Sequence, residues 1–237
     1  MTTTTTITQR LLALQSRLDA ACQAASRDPQ AVRLLAVSKT YGPEAVAEAH
    51  AAGQTAFGEN YIQEGVDKIS QLRHLPLQWH CIGPIQSNKT RLVAEHFDWV
   101  QSVDRLKIAQ RLSEQRPAHL APLQVCIQVN VDGGDTKSGV TPAQALALAQ
   151  QVAQLPRLQL RGIMSIPEPA PDFASACAVF AQVKAVFDDL NAHGLALDTL
   201  SLGMSADLEA AVQAGSTMVR VGSAIFGNRS QAQAQAA

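Results

Sequence analysis

The chain has 237 residues, a length that suits one or two domains, and 46% of them are apolar, enough for a sizeable core. Its 19 basic and 20 acidic side chains give a net charge of −1, which argues against a polybasic nucleic-acid surface. No stretch approaches a membrane span, residues 1–6 lack a secretory pattern, and Cys22, Cys81, Cys126 and Cys177 with six scattered histidines show no metal-ligand spacing. A cytoplasmic protein with reduced core thiols, binding neither nucleic acid nor membrane, is expected.

In chain order, a threonine run at 2–6 ends at Thr6, which has capping-box spacing to Gln9. Ile7, Leu11, Leu14, Leu18 and Cys22 then form a helical apolar stripe, expected to cover a barrel end or a neighbouring helix. From there the chain alternates. Strands are predicted at 34–39, 55–59, 78–82, 99–103, 124–130, 159–165, 199–203 and 218–221. Helical patterns at 44–52, 61–71, 88–95, 105–115, 142–154, 173–192 and 207–214 lie between them. Eight strand–helix units predict a parallel sheet with crossover helices, closed as a single-domain α/β protein of the (β/α)8 TIM type. An open doubly wound sheet is the runner-up, weakened by the lack of a GxGxxG turn after the first strand. The expected division is an N-terminal helix at 1–30 packed on the barrel, the barrel at 31–230, and a disordered Gln/Ala tail at 231–237.

Reacting groups of such barrels sit at the carboxyl ends of strands. The first strand ends in Lys39, where partial desolvation favours a neutral amine able to attack a carbonyl. The bland alternative is a snorkelling lysine. After the seventh and eighth strands, Ser205, Gly222 and Ser223 suit an anion cradle; taken alone Ser205 reads first as the cap of the helix that follows, but a serine can do both and the Gly222-Ser223 pair favours an anion site. Arg220 lies inside the last apolar strand and needs a partner there. It either pairs with an acid such as Glu59 or aims at a ring nitrogen or carboxylate of a ligand. A Schiff-base lysine, a phosphate cradle and a buried arginine together describe a pyridoxal phosphate pocket. Lys89 and Lys137, on loops expected to face the same barrel end, read first as attracting phosphate or carrying solvated charge, with transient acceptance of a departing cofactor as the alternative. His80 is either a site residue or a hydrogen-bonded core histidine, and Trp79 and Trp99 read as packing residues.

Seven ordered motifs carry a resemblance over nearly the whole chain. They are Ala36-Val37-Ser38-Lys39-Thr40, the run 57–64 with Phe57-Gly58-Glu59-Asn60, the run 79–89 with Gly83-Pro84-Ile85-Gln86-Ser87, Lys137-Ser138-Gly139, Arg161-Gly162-Ile163-Met164, Leu202-Gly203-Met204-Ser205, and the run 219–227 with Arg220-Val221-Gly222-Ser223. In these the chain resembles the pyridoxal phosphate homeostasis family (the YggS/PROSC type), whose barrel is related to the N-terminal domain of alanine racemase. The resemblance implies pyridoxal 5'-phosphate held as an aldimine on Lys39. It implies phosphate contacts from Ser205, Gly222 and Ser223, Arg220 facing the pyridine nitrogen, and Asn60 and Met164 lining the cofactor. Two departures are visible: Ala206 stands where an acidic residue is usual, and Gly42 follows Tyr41 where proline or lysine is usual.

Racemisation needs a base on each face of the bound amino acid. Only Tyr41 and Tyr61 are tyrosines, and neither has a reason to face Lys39 from the opposite side. The expectation is therefore a monomeric carrier that buffers the cofactor and delivers it to apo-enzymes by transient contact, with no catalytic residues. The alternatives are a narrow racemase or lyase using the same cofactor, and a cofactor-free Schiff-base aldolase.

Overall fold

Short apolar runs alternate with amphipathic helices, and each strand can bury both faces only if helices cover the outside and side chains fill the inside. The computed structural model, described for residues 6–133 and 138–227, meets that demand with a closed barrel. Its parallel strands are β1 (Arg33–Val37), β2 (Ala56–Glu59), β3 (Gln78–Cys81), β4 (Trp99–Val103), β5 (Leu123–Gln128), β6 (Leu158–Met164), β7 (Thr199–Ser201) and β8 (Met218–Val221). They pair in sequence order, and β8 closes on β1. The helices are α1 (Ile7–Ala24), α2 (Pro43–Ala51), α3 (Ile62–Gln71), α4 (Thr90–His96), α5 (Leu106–Gln115), α6 (Pro142–Ala153), α7 (Phe173–Ala192), α8 (Leu208–Gln213) and α9 (Ser223–Phe226). The (β/α)8 expectation is met, and the open-sheet alternative is not.

The capping box at Thr6 is formed: its Oγ1 accepts from Gln9 N at 3.2 Å, and Gln9 Oε1 accepts from Thr6 N at 3.0 Å. Such a cap contributes about 1 kcal/mol. Behind it Leu11, Leu14, Leu18 and Cys22 are buried, each at helical spacing, and α1 packs on α2, α8 and α9. Of the two placements open to this helix, it takes the one against neighbouring helices. The tail at 231–237 and Lys137 lie outside the described residues.

Two predicted strand ends differ for a local reason. β1 stops at Val37, so Ser38 and Lys39 form a turn beyond it, and Thr40 sits at φ +70°. That left-handed conformation is incompatible with continuing the strand and costs about 1–3 kcal/mol in a non-glycine residue. β7 stops at Ser201 because Gly203 adopts φ +89°.

The barrel interior is layered. Leu35, Val37, Ile82 and Met218 form one apolar cluster, and Trp99, Cys126 and Met164 another. Between them run polar side chains, among them Gln101, His80 and Ser201, all fully buried. Trp79 packs in the layer between barrel and helices, so both tryptophans are core residues. Burial pushes the thiols of Cys81 and Cys126 up to about 12, which makes them inert packing groups.

Candidate functional site

A cavity of about 730 Å³ opens at the carboxyl end of the barrel. Lys39, Asn60, Ser205, Arg220, Gly222 and Ser223 all line it. The closure of the barrel explains why residues so distant in sequence meet. Leu35 pairs with Arg220 and Ala36 with Val221, which brings Val37 opposite Gly222 and sets the two turns side by side. A β-carbon on Gly222 would stand 3.1 Å from Val37 O, a tight contact that an added side chain would meet only if the neighbouring turn gave way by a few tenths of an ångström.

The turn carrying Lys39 is clamped from below. Buried Lys68, on α3, donates to Ser38 O, Glu59 Oε1 and Glu64 Oε1, each at 2.7 Å. Ser38 Oγ donates to Glu59 Oε1 at 2.5 Å, and Thr40 N to Glu64 Oε1 at 2.6 Å. Tyr41 stacks on Phe226 with centroids 5.1 Å apart and donates its hydroxyl to Gly227 O at 2.6 Å. Burial, the largest influence on Glu59, raises its carboxyl above the ordinary range, and Lys68 opposes that rise. Lys39 itself is half-buried, and its amine makes no hydrogen bond or ion pair among the described residues.

Across the cavity, Ser223 Oγ donates to Ser205 Oγ at 3.2 Å. Ser205 does not cap α8, whose N-cap is Asp207, with Asp207 Oδ1 accepting from Met204 N at 2.6 Å. The hydroxyl pair therefore faces the cavity beside the first N–H groups of α9, which no helix carbonyl can accept.

Arg220 is 4% exposed and has no carboxylate partner among the described residues. The Glu59 pairing open from sequence is absent, because Glu59 pairs with Lys68. The guanidinium donates instead to Ser201 O and Ser201 Oγ at 2.7 Å and to Ser165 O at 2.9 Å. Burial lowers its pKa to about 10, so it stays cationic at neutral pH. Asn60 contributes a second unmet group: its Oδ1 is buried without a hydrogen-bond partner. An uncompensated buried cation and an orphaned acceptor in one cavity are costly in isolation and point to a polar ligand.

Met164 departs from expectation. It is fully buried against Trp99 and Cys126 and does not line the cavity; Ile166, two residues on, does. Lys89 lies on a short turn at Ser87–Lys89 and is not a lining residue. His80 is a core histidine, hydrogen-bonded inside the barrel. Sequence reasoning missed Ile82, Ile166 and Met204 as apolar walls. Their position just past strand ends was the available signal.

Fold and site define a single-barrel protein with an unengaged amine just past the end of β1 and a pair of serine hydroxyls after β7 and β8, facing one cavity. Comparison with known proteins agrees. The model of the alanine racemase N-terminal domain matches residues 10–230. The pyridoxal phosphate homeostasis protein of Pseudomonas aeruginosa is 59% identical over 224 residues, covering 94% of this chain and 96% of that one. Its counterpart in Escherichia coli K12 is 52% identical over 226 residues, covering 94% and 97%. PipY of Synechococcus elongatus, solved with PLP bound, superposes with a TM-score of 0.81 at 39% identity, covering 93% of this chain and all of that one (100%). The chain belongs to the family of the pyridoxal phosphate homeostasis proteins, built on the alanine racemase N-terminal domain. No helix among the described residues is long and apolar enough to cross a membrane.

Proposed function

We propose that this protein binds pyridoxal 5'-phosphate as a Schiff base on Lys39 and serves cytoplasmic cofactor homeostasis, buffering the reactive aldehyde and delivering it to apo-enzymes. The observation that carries this reading is the meeting of three groups in one cavity: the free Lys39 amine, the Ser205–Ser223 hydroxyl pair, and Arg220 without a counter-ion.

The residues present fit the group. Ser205, Ser223 and the open backbone at Gly222 would hold the phosphate. Arg220 would donate to the pyridine nitrogen, and the orphaned Asn60 Oδ1 would gain a ligand partner. Bound there, the cofactor supplies an electrophilic aldehyde and a conjugated ring. A guanidinium cannot accept a proton from elsewhere and pass one to the ring, so Arg220 favours an unprotonated ring nitrogen and weak electron withdrawal.

That pairing supports a carrier over a racemase or lyase. Tyr41 is committed to Gly227 O and Phe226, and Tyr61 is 54% exposed at the N-cap of α3. Neither tyrosine is poised as a second base. Incubating the loaded protein with amino acids in deuterated water tests this reading. The carrier reading expects no enzyme-level exchange of the α-proton; rapid stereospecific exchange would establish the enzyme instead. Hand-over is expected from a monomer, which sedimentation of the loaded protein checks.

A further inference from the structure

A line of hydrogen bonds runs down the barrel interior with every donor pointing the same way. Arg220 Nη1 donates to Ser201 Oγ at 2.7 Å, and Ser201 Oγ donates to Gln101 Oε1 at 2.7 Å. Gln101 Nε2 meets His80 Nδ1 at 2.9 Å, and His80 Nε2 meets Gln78 Oε1 at 3.1 Å. Arg220, Ser201, Gln101 and His80 are all buried, so water cannot substitute for a lost link.

The directions follow from donor chemistry. A guanidinium has no acceptor, so the Ser201 oxygen accepts from Arg220 and its own proton goes to Gln101 Oε1. The Gln101 amide then turns its NH2 toward His80. Nδ1 of His80 must accept, so Nε2 carries the proton and donates to Gln78. Burial is the main cause that pushes His80 down to about 3, so the ring is neutral and a Nδ1 lone pair is available. Stacking on Trp99, with centroids 5.0 Å apart, holds the ring plane. Turning the Gln101 amide over would leave the buried Ser201 proton without its acceptor and set Gln101 Oε1 against the His80 Nδ1 lone pair, which is expensive in a low-dielectric interior.

We propose that Gln101 and His80 are positioning residues for Arg220: neutral, Nε2-protonated His80 fixes the Gln101 amide, and Gln101 fixes the Ser201 hydroxyl as an acceptor for the guanidinium. Three of the five guanidinium N–H bonds are engaged by Ser201 and Ser165, which leaves Nε and one Nη2 proton for a ligand acceptor in the cavity. The consequence for the cofactor rests on the function proposed above; the chain itself belongs to the protein without ligand. Neither Gln101 nor His80 lines the cavity: Gln101 is joined to it by hydrogen bonds through Ser201 and Arg220, and by packing through Met218, whose Sδ it meets at 3.1 Å and which clusters with the cavity-lining Val37 and Ile82.

Side-chain ¹⁵N NMR of the full chain, without and with pyridoxal phosphate, tests this on wild type, Gln101→Leu and Gln101→Glu. Wild type is expected to carry the His80 proton on Nε2 and to show separate, slowly exchanging Arg220 Nη signals. Gln101→Leu should speed that exchange and weaken pyridoxal phosphate binding about tenfold, the effect of one buried charged hydrogen bond losing its support. Gln101→Glu still accepts from Ser201, so it should keep the Arg220 signals while drawing a proton to His80 Nδ1. A wild-type His80 protonated on Nδ1 would overturn the proposal. So would unchanged Arg220 signals and affinity in Gln101→Leu. Should that variant fail to fold, the wild-type tautomer and Gln101→Glu decide. If wild type binds no pyridoxal phosphate, the function proposed above fails, while the ligand-free spectra still judge the chain.

Discussion

Arg17 of the N-terminal helix donates from Nη1 to the backbone oxygen of Ser205 at 2.9 Å, joining the helix that precedes the barrel to the loop after β7. The same guanidinium grips Glu209 through Nε at 2.6 Å and Nη2 at 2.7 Å. Its partner pins the start of α8, so α1 braces the loop that presents the Ser205 hydroxyl. The hydrogen bond to Glu209 raises the Arg17 pKa, and its counterpart holds Glu209 below the ordinary carboxylate range.

Arg17→Ala should therefore separate stability from binding. The pair is about two-fifths exposed, with side chains at 37% and 42%, so solvent screening leaves it a small stabilising role. Urea unfolding should show a loss of less than about 1 kcal/mol. Pyridoxal phosphate affinity, measured by titration, should fall several-fold because Ser205 loses its brace. Glu209 has a depressed folded pKa, so its contribution is present above the ordinary carboxylate pKa and lost as pH falls through the lower folded value.

Lys68→Met should be far more damaging. It leaves Glu59 fully buried without its cation, at a cost of about 3–5 kcal/mol by urea unfolding. Glu59 is raised by burial and Lys68 opposes the rise, so the variant raises it further. A carboxyl with a raised folded pKa favours the fold below its unfolded pKa and loses that contribution as pH rises through the folded value. The variant should accordingly be less destabilised near pH ~5 than near pH ~8. Equal destabilisation at both would contradict the buried pair.

Met164 and Ile166 make an opposed pair of tests. Met164→Ala empties a fully buried site and should cost about 2–5 kcal/mol, with pyridoxal phosphate affinity little changed. Ile166 is 40% exposed at the cavity wall, so Ile166→Ala should change stability little and affinity more. Urea unfolding and pyridoxal phosphate titration of both variants check the contrast.

These two residues also mark how far the chain could be read in advance. Strand–helix alternation exposed the barrel, because each strand must be apolar and each helix amphipathic whatever the tertiary detail. The strand-end rule found Lys39, Ser205, Arg220, Gly222 and Ser223, and the family resemblance added Asn60; all of them line the cavity. Met164, implied by the resemblance, lies below the cavity while Ile166 reaches it, because residues two apart share a strand face but differ in depth by about 6–7 Å. Depth depends on where the strand enters the barrel, which local pattern does not encode. The partner of Arg220 was undecided for a similar reason: Glu59 sits at a strand end, yet Lys68 from the outer helix claims it. The Arg17 brace spans 188 positions and leaves no local signature.

Gly203→Ala tests the turn after β7. Gly203 holds φ +89°, and an added β-carbon would lie 2.4 Å from Ala211 Cβ. Strain in the left-handed region and overpacking against α8 should together cost about 2–4 kcal/mol, read by thermal or urea unfolding. The displaced Met204-Ser205 loop should also weaken phosphate binding.

The most direct test of the central claim is borohydride reduction of the protein loaded with pyridoxal phosphate, followed by peptide mass mapping beside Lys39→Ala. The account predicts one equivalent of reduced cofactor on the peptide containing Lys39, formed from a visible-absorbing species that the variant lacks. Labelling spread over surface lysines, or a Lys39→Ala protein that binds and reduces the cofactor identically, would contradict it.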